Sequence, residues 1–304
     1  MRVFDLHCDT ITECSNDGIN LRKNNLHLDL ERASALGDYT QVFAVWIPDD
    51  IRGQNALDYF EKTADCFYRE LKSNSDLFSL RSEGLNTPVK AILGLEGGSG
   101  AGGTLEGLHR VYERGVRFIT LAWKNHNEIA GGAFSEGGFT DYGKAFVKEA
   151  EALGIIIDAS HLNRESFFEL SSFASKPFIA THSNADIVDN PKGRARNLTK
   201  EQIEVIRDMG GIIGLNYYVD FIETDEIKGI DALARQLEYF FSLGCENLLA
   251  LGSDYDGCKI NPELCGVEKL PSVYNGLISR GFDDVFLQKL FYDNANEFLQ
   301  SIDM

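Results

Sequence analysis

Positive charge is what this 304-residue sequence has least of: 29 lysines and arginines stand against 47 aspartates and glutamates, a formal net charge of −18. A surface of that sign repels nucleic-acid phosphates and anionic lipid headgroups, so neither is an expected partner. No uninterrupted apolar run approaches the ~20 residues that span a bilayer, and the first residues show neither a basic n-region nor an apolar h-region. No membrane contact is expected, and the cytoplasm is the expected location. The six cysteines (Cys8, Cys14, Cys66, Cys245, Cys258, Cys265) contain no CxxC pair, and a chain of this size needs no disulfide staples, so reduced thiols are expected. Low-complexity segments, charge blocks and Pro-rich linkers are missing as well. Nothing divides the chain, and one domain over 1–304 is expected.

What is there is an ordinary globular composition, 43% hydrophobic and 25% charged, arranged as an alternation of short apolar runs with amphipathic stretches. The apolar runs predict strands at 2–9, 41–47, 89–95, 116–123, 155–160, 178–181, 210–217 and 248–252. Between them, apolar spacings of three and four, as at Leu57, Phe60, Ala64, Phe67 and Leu71, predict helices at 55–74, 105–114, 141–153, 164–173, 230–243 and 283–302. A further helix starts at Thr199, with Gln202 as its capping-box partner. Residues 11–25 are polar and irregular and read as a loop. About eight strand–helix repeats favour an α/β fold of the closed (β/α)8 TIM-barrel type over an open sheet.

The polar residues are not scattered over this pattern. His7 and Asp9 end the first strand, Glu96 precedes two glycines at the end of the third, and Lys124-Asn125-His126-Asn127 follows the fourth. His161 leaves the fifth strand, His182 the sixth, and Asp254 the eighth. Residues two apart in a strand share a face, so His7 and Asp9 can offer a nitrogen and an oxygen to one borderline metal such as zinc. Each placement has a plain alternative: Asp9 can cap a turn, and Glu96 can sit solvated in a Gly-rich turn. In a barrel, however, the carboxyl ends of the strands converge, and His7, Asp9, Glu96, His161, His182 and Asp254 then form one metal site at that rim. Three histidines and three carboxylates exceed the needs of one tetrahedral ion, and a carboxylate can bridge two. His27-Leu28-Asp29 repeats the His-x-Asp spacing but leads into Glu31 and Arg32 rather than following an apolar strand; His27 is expected to be an exposed or capping residue.

The blocks DLHCDT, LHLDLERA, GLEGG, GVRFITLAW, GIIIDASHLN, ATHSNAD, RNLTKEQIEVI, GGIIGLNYY and LGSDYDG occur in this order along nearly the whole chain. Together they resemble the membrane (renal-type) dipeptidase family of zinc metallopeptidases, in its soluble bacterial form. The resemblance implies a (β/α)8 barrel with two zinc ions, one held by His7 and Asp9, the other by His161 and His182, with Glu96 bridging them and taking part in catalysis. It also implies that Arg196 contacts the substrate carboxylate and that Asp254 contacts the substrate as the acid/base near the scissile amide. The family's Leu-Thr-His-Asn histidine is absent: Trp123 stands at the aligned position, and either His126, three residues on, replaces its substrate contact or the oxyanion contact is a different one. Family members are commonly dimers, which makes a homodimer the expected assembly.

On this view a hydroxide bridging the two ions attacks the peptide bond of a dipeptide, Asp254 relays its proton to the leaving amine, and Arg196 offers a bidentate fork to the free carboxylate. Two rivals remain at this point. One is another amidohydrolase-type barrel enzyme, a cyclic amidase or deaminase, whose metals are usually bridged by a modified lysine, here Lys124. The other is a catalytically silent binding protein on the same scaffold.

Overall fold

Strands and helices alternate through the computed structural model, which describes residues 1–302. The strands are β1 (Arg2–Cys8), β2 (Asp38–Trp46), β3 (Phe78–Leu80), β4 (Val89–Glu96), β5 (Val116–Thr120), β6 (Ile156–Asp158), β7 (Ile213–Leu215) and β8 (Leu249–Leu251). All named pairings are parallel, in the order β6-β5-β4-β2-β1-β8-β7, with β3 added beside β4. Parallel neighbours require long return connections, and helices supply them. These include α1 (Thr10–Asp17), α2 (Leu30–Ser34), α3 (Gln54–Ser73), α4 (Leu105–Glu113), α5 (Asp141–Ala152), α6 (Arg164–Phe173), α7 (Pro191–Arg196) and α8 (Lys200–Asp208).

The structure is therefore a curled parallel sheet in an α/β fold, seven strands following one another and β3 beside them, and the stave expected at 178–181 is not a ladder of its own. Single parallel bridges join Ile179 to Asp158 and Ala180 to Ile213, so this segment lies between the two ends of the sheet. The ladder stops because the Thr181 N–H donates to Asp158 Oδ1 at 2.9 Å, and a side chain takes the place of the next backbone rung. Backbones crowd here. A Cβ on Gly214 would lie 1.9 Å from the Thr181 carbonyl oxygen, and one on Gly252 would lie 2.0 Å from the same atom.

Inside the curl, Phe4 and Leu6, Val42, Ile92, Phe118, Ile156, Ile179, Ile212 and Ala250 pack as one cluster. Ala295, Phe298 and Leu299 of the last helix, Asn294–Ser301, close it at the amino ends of the strands. A second, larger cluster fills the layer between the sheet and the helices. Among the described residues no helix is long and apolar enough to cross a membrane.

Two local features aim the site. β1 pairs with β2 as Asp5↔Gln41 and then Cys8↔Phe43, so β1 carries one extra residue there. Without that bulge, Phe4 and Leu6 facing inward would send His7 out toward the helices; with it, Cys8 joins the outer layer and His7 turns inward. The second feature overturns the loop expected at 11–25, because α1 occupies its first half. The helix was hidden by its polar composition: Thr12, buried, donates to the Ala44 carbonyl at 3.2 Å and accepts from Trp46 N–H at 3.0 Å, which lets a polar side chain face the sheet. Gly18 ends α1 in the left-handed conformation, with φ of 67°.

Candidate active site

The strand ends bring His7, Asp9, Glu96, His161, His182 and Asp254 together. Glu96, the last residue of β4, is the centre. Its Oε2 lies 3.5 Å from His7 Nε2, and its Oε1 lies 2.9 Å from His161 Nε2 and 3.4 Å from His182 Nε2. His7 Nε2 is also 3.6 Å from Asp9 Oδ2. His161 and His182 present their Nε2 atoms 2.9 Å apart. Two sets, His7–Glu96–His182 and His7–Asp9–Asp254, each have ligand atoms within 4.8 Å of one another.

These residues fit a metal. His7 Nε2, Asp9 Oδ1 and His161 Nδ1 are buried without a hydrogen-bond partner, which is costly unless something else occupies them. Nitrogen and carboxylate oxygen donors are the mixture that zinc accepts. The backbone is bent to serve the cluster: His161, Asp254 and Asp256, with φ of 66°, 61° and 68°, are the non-glycine residues in the left-handed region among the described residues. Such conformations cost on the order of 1 kcal/mol or more each and gather at functional sites. A Cβ on Gly257 would lie 2.0 Å from Asp9 Oδ2 and 2.5 Å from Asp254 Oδ1, so only glycine lets this loop close on both carboxylates.

Behind the cluster, one chain of hydrogen bonds sets the tautomer of His182. Thr181 Oγ1 lies 2.7 Å from His182 Nδ1 and 2.6 Å from Asp158 Oδ2, and Thr120 Oγ1 also donates to Asp158 Oδ2 at 2.6 Å. A carboxylate only accepts, so the Thr181 hydroxyl gives its proton to Asp158 and receives one from His182 Nδ1–H. His182 Nε2 is left as a bare acceptor on the side that faces Glu96 and could bind a metal. Thr181→Val keeps the shape and removes the link; zinc affinity, measured by competition with a chelator, is expected to fall ~10- to 100-fold, while Thr181→Ser stays near wild type. Equal affinity in all three proteins would show that the link does not matter.

Electrostatics point the same way. Burial pushes the Glu96 carboxyl up, but the His7 charge and the close approach of the His161, His182 and His7 rings outweigh it and hold Glu96 well below the carboxylate range. Burial works to lower His7, yet Glu96 and Asp9 carry it well above the usual imidazole value. Burial and the neighbouring Glu96 charge raise Asp9 well above its usual value. His182 is lowered well below normal by burial and then by His7, whose ring centroid is 3.7 Å away, and His161 is lowered by burial and then by Arg196. Two imidazoles are thus kept neutral with free lone pairs, and positive charge is favoured between Glu96, Asp9 and His7.

A cavity of about 670 Å³ opens over the cluster, with Asp9, Glu96, His161, Arg196 and Asp254 in its lining. Arg196, at the end of α7, is only 4% exposed. Its Nη1 donates to Ser183 Oγ at 2.8 Å and its Nη2 to the His182 carbonyl at 2.7 Å, while Nε is buried without a partner. Burial lowers its pKa, and the largest opposing influence is the Asp254 charge. Asp254 is held by Asn216, whose Nδ2 donates to Oδ2 at 2.8 Å. His126 does not reach this cavity: Asn125 is tied to Asp49 through both its N–H and its side chain, and the next residue, His126, is exposed. Trp123 takes the wall position instead. Lys124 is exposed, with Nζ 3.9 Å from the centroid of the Trp123 ring. His27 lies outside the cluster; its backbone N–H and Nδ1 both hydrogen-bond Asp256, and Asp29 caps α2. Asn216, Asp158 and Thr181 went unmarked in the sequence, although each sits at a strand end beside a marked residue.

Residues 1–303 match the model of the membrane dipeptidase family, peptidase family M19. An uncharacterised protein in the pqqA 5′ region of Klebsiella pneumoniae is 33% identical over 220 residues, which span 68% of this chain and 80% of that protein. Dipeptidase 3 of Mus musculus is 25% identical over 288 residues, 90% of this chain and 57% of its own length. Among solved structures, a metallo peptidase from Rhodobacter sphaeroides liganded with a phosphinate mimic of the dipeptide L-Ala-D-Ala superposes with a TM-score of 0.89 at 24% identity, over 99% of both chains. The dipeptidase AC, another metallo peptidase, gives a TM-score of 0.89 at 25% identity, over 99% of this chain and 98% of that one. With the family matched from end to end and a metal-competent cluster at its strand ends, the chain belongs to the membrane dipeptidase family.

Proposed function

We propose that the protein is a zinc-dependent dipeptidase that hydrolyses substrates ending in a free carboxylate. One observation carries this reading: Glu96 touches three imidazoles at once in a cavity that also holds a buried guanidinium with no carboxylate partner among the described residues. His7 and Asp9 would hold one zinc ion, His161 and His182 the other, and Glu96 both. Zinc, when bound there, would supply Lewis acidity toward the amide carbonyl and make water acidic enough to act as a nucleophile at neutral pH. Arg196 binds and orients: a buried cation anchored on Ser183 and His182 gains most from a ligand carboxylate, which fixes the distance from that carboxylate to the scissile bond. Asp254, steadied by Asn216, holds the proton of the attacking water and passes it to the leaving nitrogen. The bridges at Ile179 and Ala180, and an interior cluster drawn from every stave, support closure of the sheet into a single (β/α)8 barrel domain.

Asp254→Asn keeps the shape and removes the titrating group, so turnover should fall by ~10² or more with the zinc content unchanged. Loss of zinc in that variant would make Asp254 a ligand rather than a proton carrier. The whole reading is tested by zinc analysis of the purified protein with a panel of dipeptides and cyclic amides. Turnover of cyclic amides with dipeptides untouched would overturn it; the exposed position of Lys124 gives that rival no bridging group.

A further inference from the structure

The chain has two tryptophans, and both line the substrate cavity. Trp46 ends β2 in register with Glu96 of β4, and Glu96 is in register with Thr120 of β5, just before Trp123. The two indoles meet edge to face, with centroids 4.8 Å apart and planes at 69°. Trp123 stands 6.2 Å from the His161 ring, so the wall begins at the metal ligands. Phe134, whose N–H bonds the Lys124 carbonyl at 2.9 Å, also lines the cavity and is 48% exposed. One side of the cavity is therefore apolar and aromatic from its floor to its rim.

The Arg196 anchor lies across from it. Going round the sheet from Trp46 on β2 to His182, which follows the bridged segment at Ile179 and Ala180, one passes β4, β5 and β6 in one direction and β1, β8 and β7 in the other. A dipeptide with its carboxylate on Arg196 and its amide at Glu96 has the C-terminal side chain and the N-terminal residue left to place, and of these the N-terminal residue lies beyond the amide, away from Arg196 and toward the tryptophans. We propose that Trp46, Trp123 and Phe134 form the subsite for the N-terminal side chain, and that preferred substrates carry a large apolar residue there, above all an aromatic one. This rests on the dipeptidase reading. An acidic side chain is the less favoured guest, because the cation beside these rings, Lys124, already lies over the Trp123 ring.

The test compares kcat/KM for Phe-Ala, Leu-Ala, Glu-Ala and Gly-Ala with the zinc-loaded enzyme, and for the Trp123→Ala variant. Phe-Ala is expected to exceed Gly-Ala by ~10-fold or more, in the range that apolar pockets reach, and the variant should bring that ratio toward 1. A ratio near 1 in the wild type, or a preference for Glu-Ala, would overturn the proposal. A second readout does not need turnover: with both tryptophans at the site, the reduced-amide isostere of Phe-Ala should change the intrinsic emission, and that of Gly-Ala should change it far less. If no dipeptide is cleaved, the dipeptidase reading fails, and the isosteres still decide the subsite. Equal emission changes for the two would count against it.

Discussion

If zinc is held as proposed, Glu96→Ala is expected to remove it from both halves of the centre at once and to abolish hydrolysis, while the sheet still folds. Its carboxylate is the group that lies against His7, His161 and His182 together, so its removal leaves imidazoles with no anion between them. Loss of an outer partner of a metal ligand costs ~10- to 100-fold in affinity, and loss of a ligand shared by two ions should exceed the upper figure. The fold should survive, because β4 is joined to β2 and β5 by backbone ladders that end at Glu96 without using its side chain. Elemental analysis and circular dichroism check the two halves of the expectation. Wild-type turnover with Glu96 gone would remove the bridging role.

The second large effect concerns substrate length. If Arg196 reads the free carboxylate, a dipeptide amide leaves a buried guanidinium unpaired, a loss of ~2 to 5 kcal/mol, and should be cleaved at least ~30-fold less efficiently than the free dipeptide. A tripeptide should suffer similarly. Arg196→Ala should shrink that preference by slowing the dipeptide far more than the amide. Measuring kcat/KM for the four combinations isolates the pairing. The same preference in both proteins would mean that the carboxylate is recognised elsewhere.

Much of this site could be read from the sequence because parallel strands joined by helices tie sequence position to spatial position. A polar residue just past an apolar run has to emerge at one rim, and His7, Glu96, His161, His182 and Asp254 did so. What was illegible depended on contacts between distant segments. The bulge in β1 is invisible without β2 beside it, α1 hides its buried threonines behind a polar composition, and the stave at 178–181 loses its ladder to the Asp158 side chain. His126 is the histidine nearest in sequence to the aligned position, yet it is exposed. The tie between Asn125 and Asp49 turns the chain outward there, and no local pattern announces such a contact.

The crowding at Gly214 and Gly252 bears on how such an enzyme can diversify. A side chain at either position would have to displace the Thr181 carbonyl, and with it the hydroxyl that orients His182. That arc of the wall is closed to experiment by natural selection as well as by the bench. Novelty in substrate choice has to enter through the opposite arc, where the rings of Trp46, Trp123 and Phe134 can be exchanged one at a time while the metal ligands stay where they are.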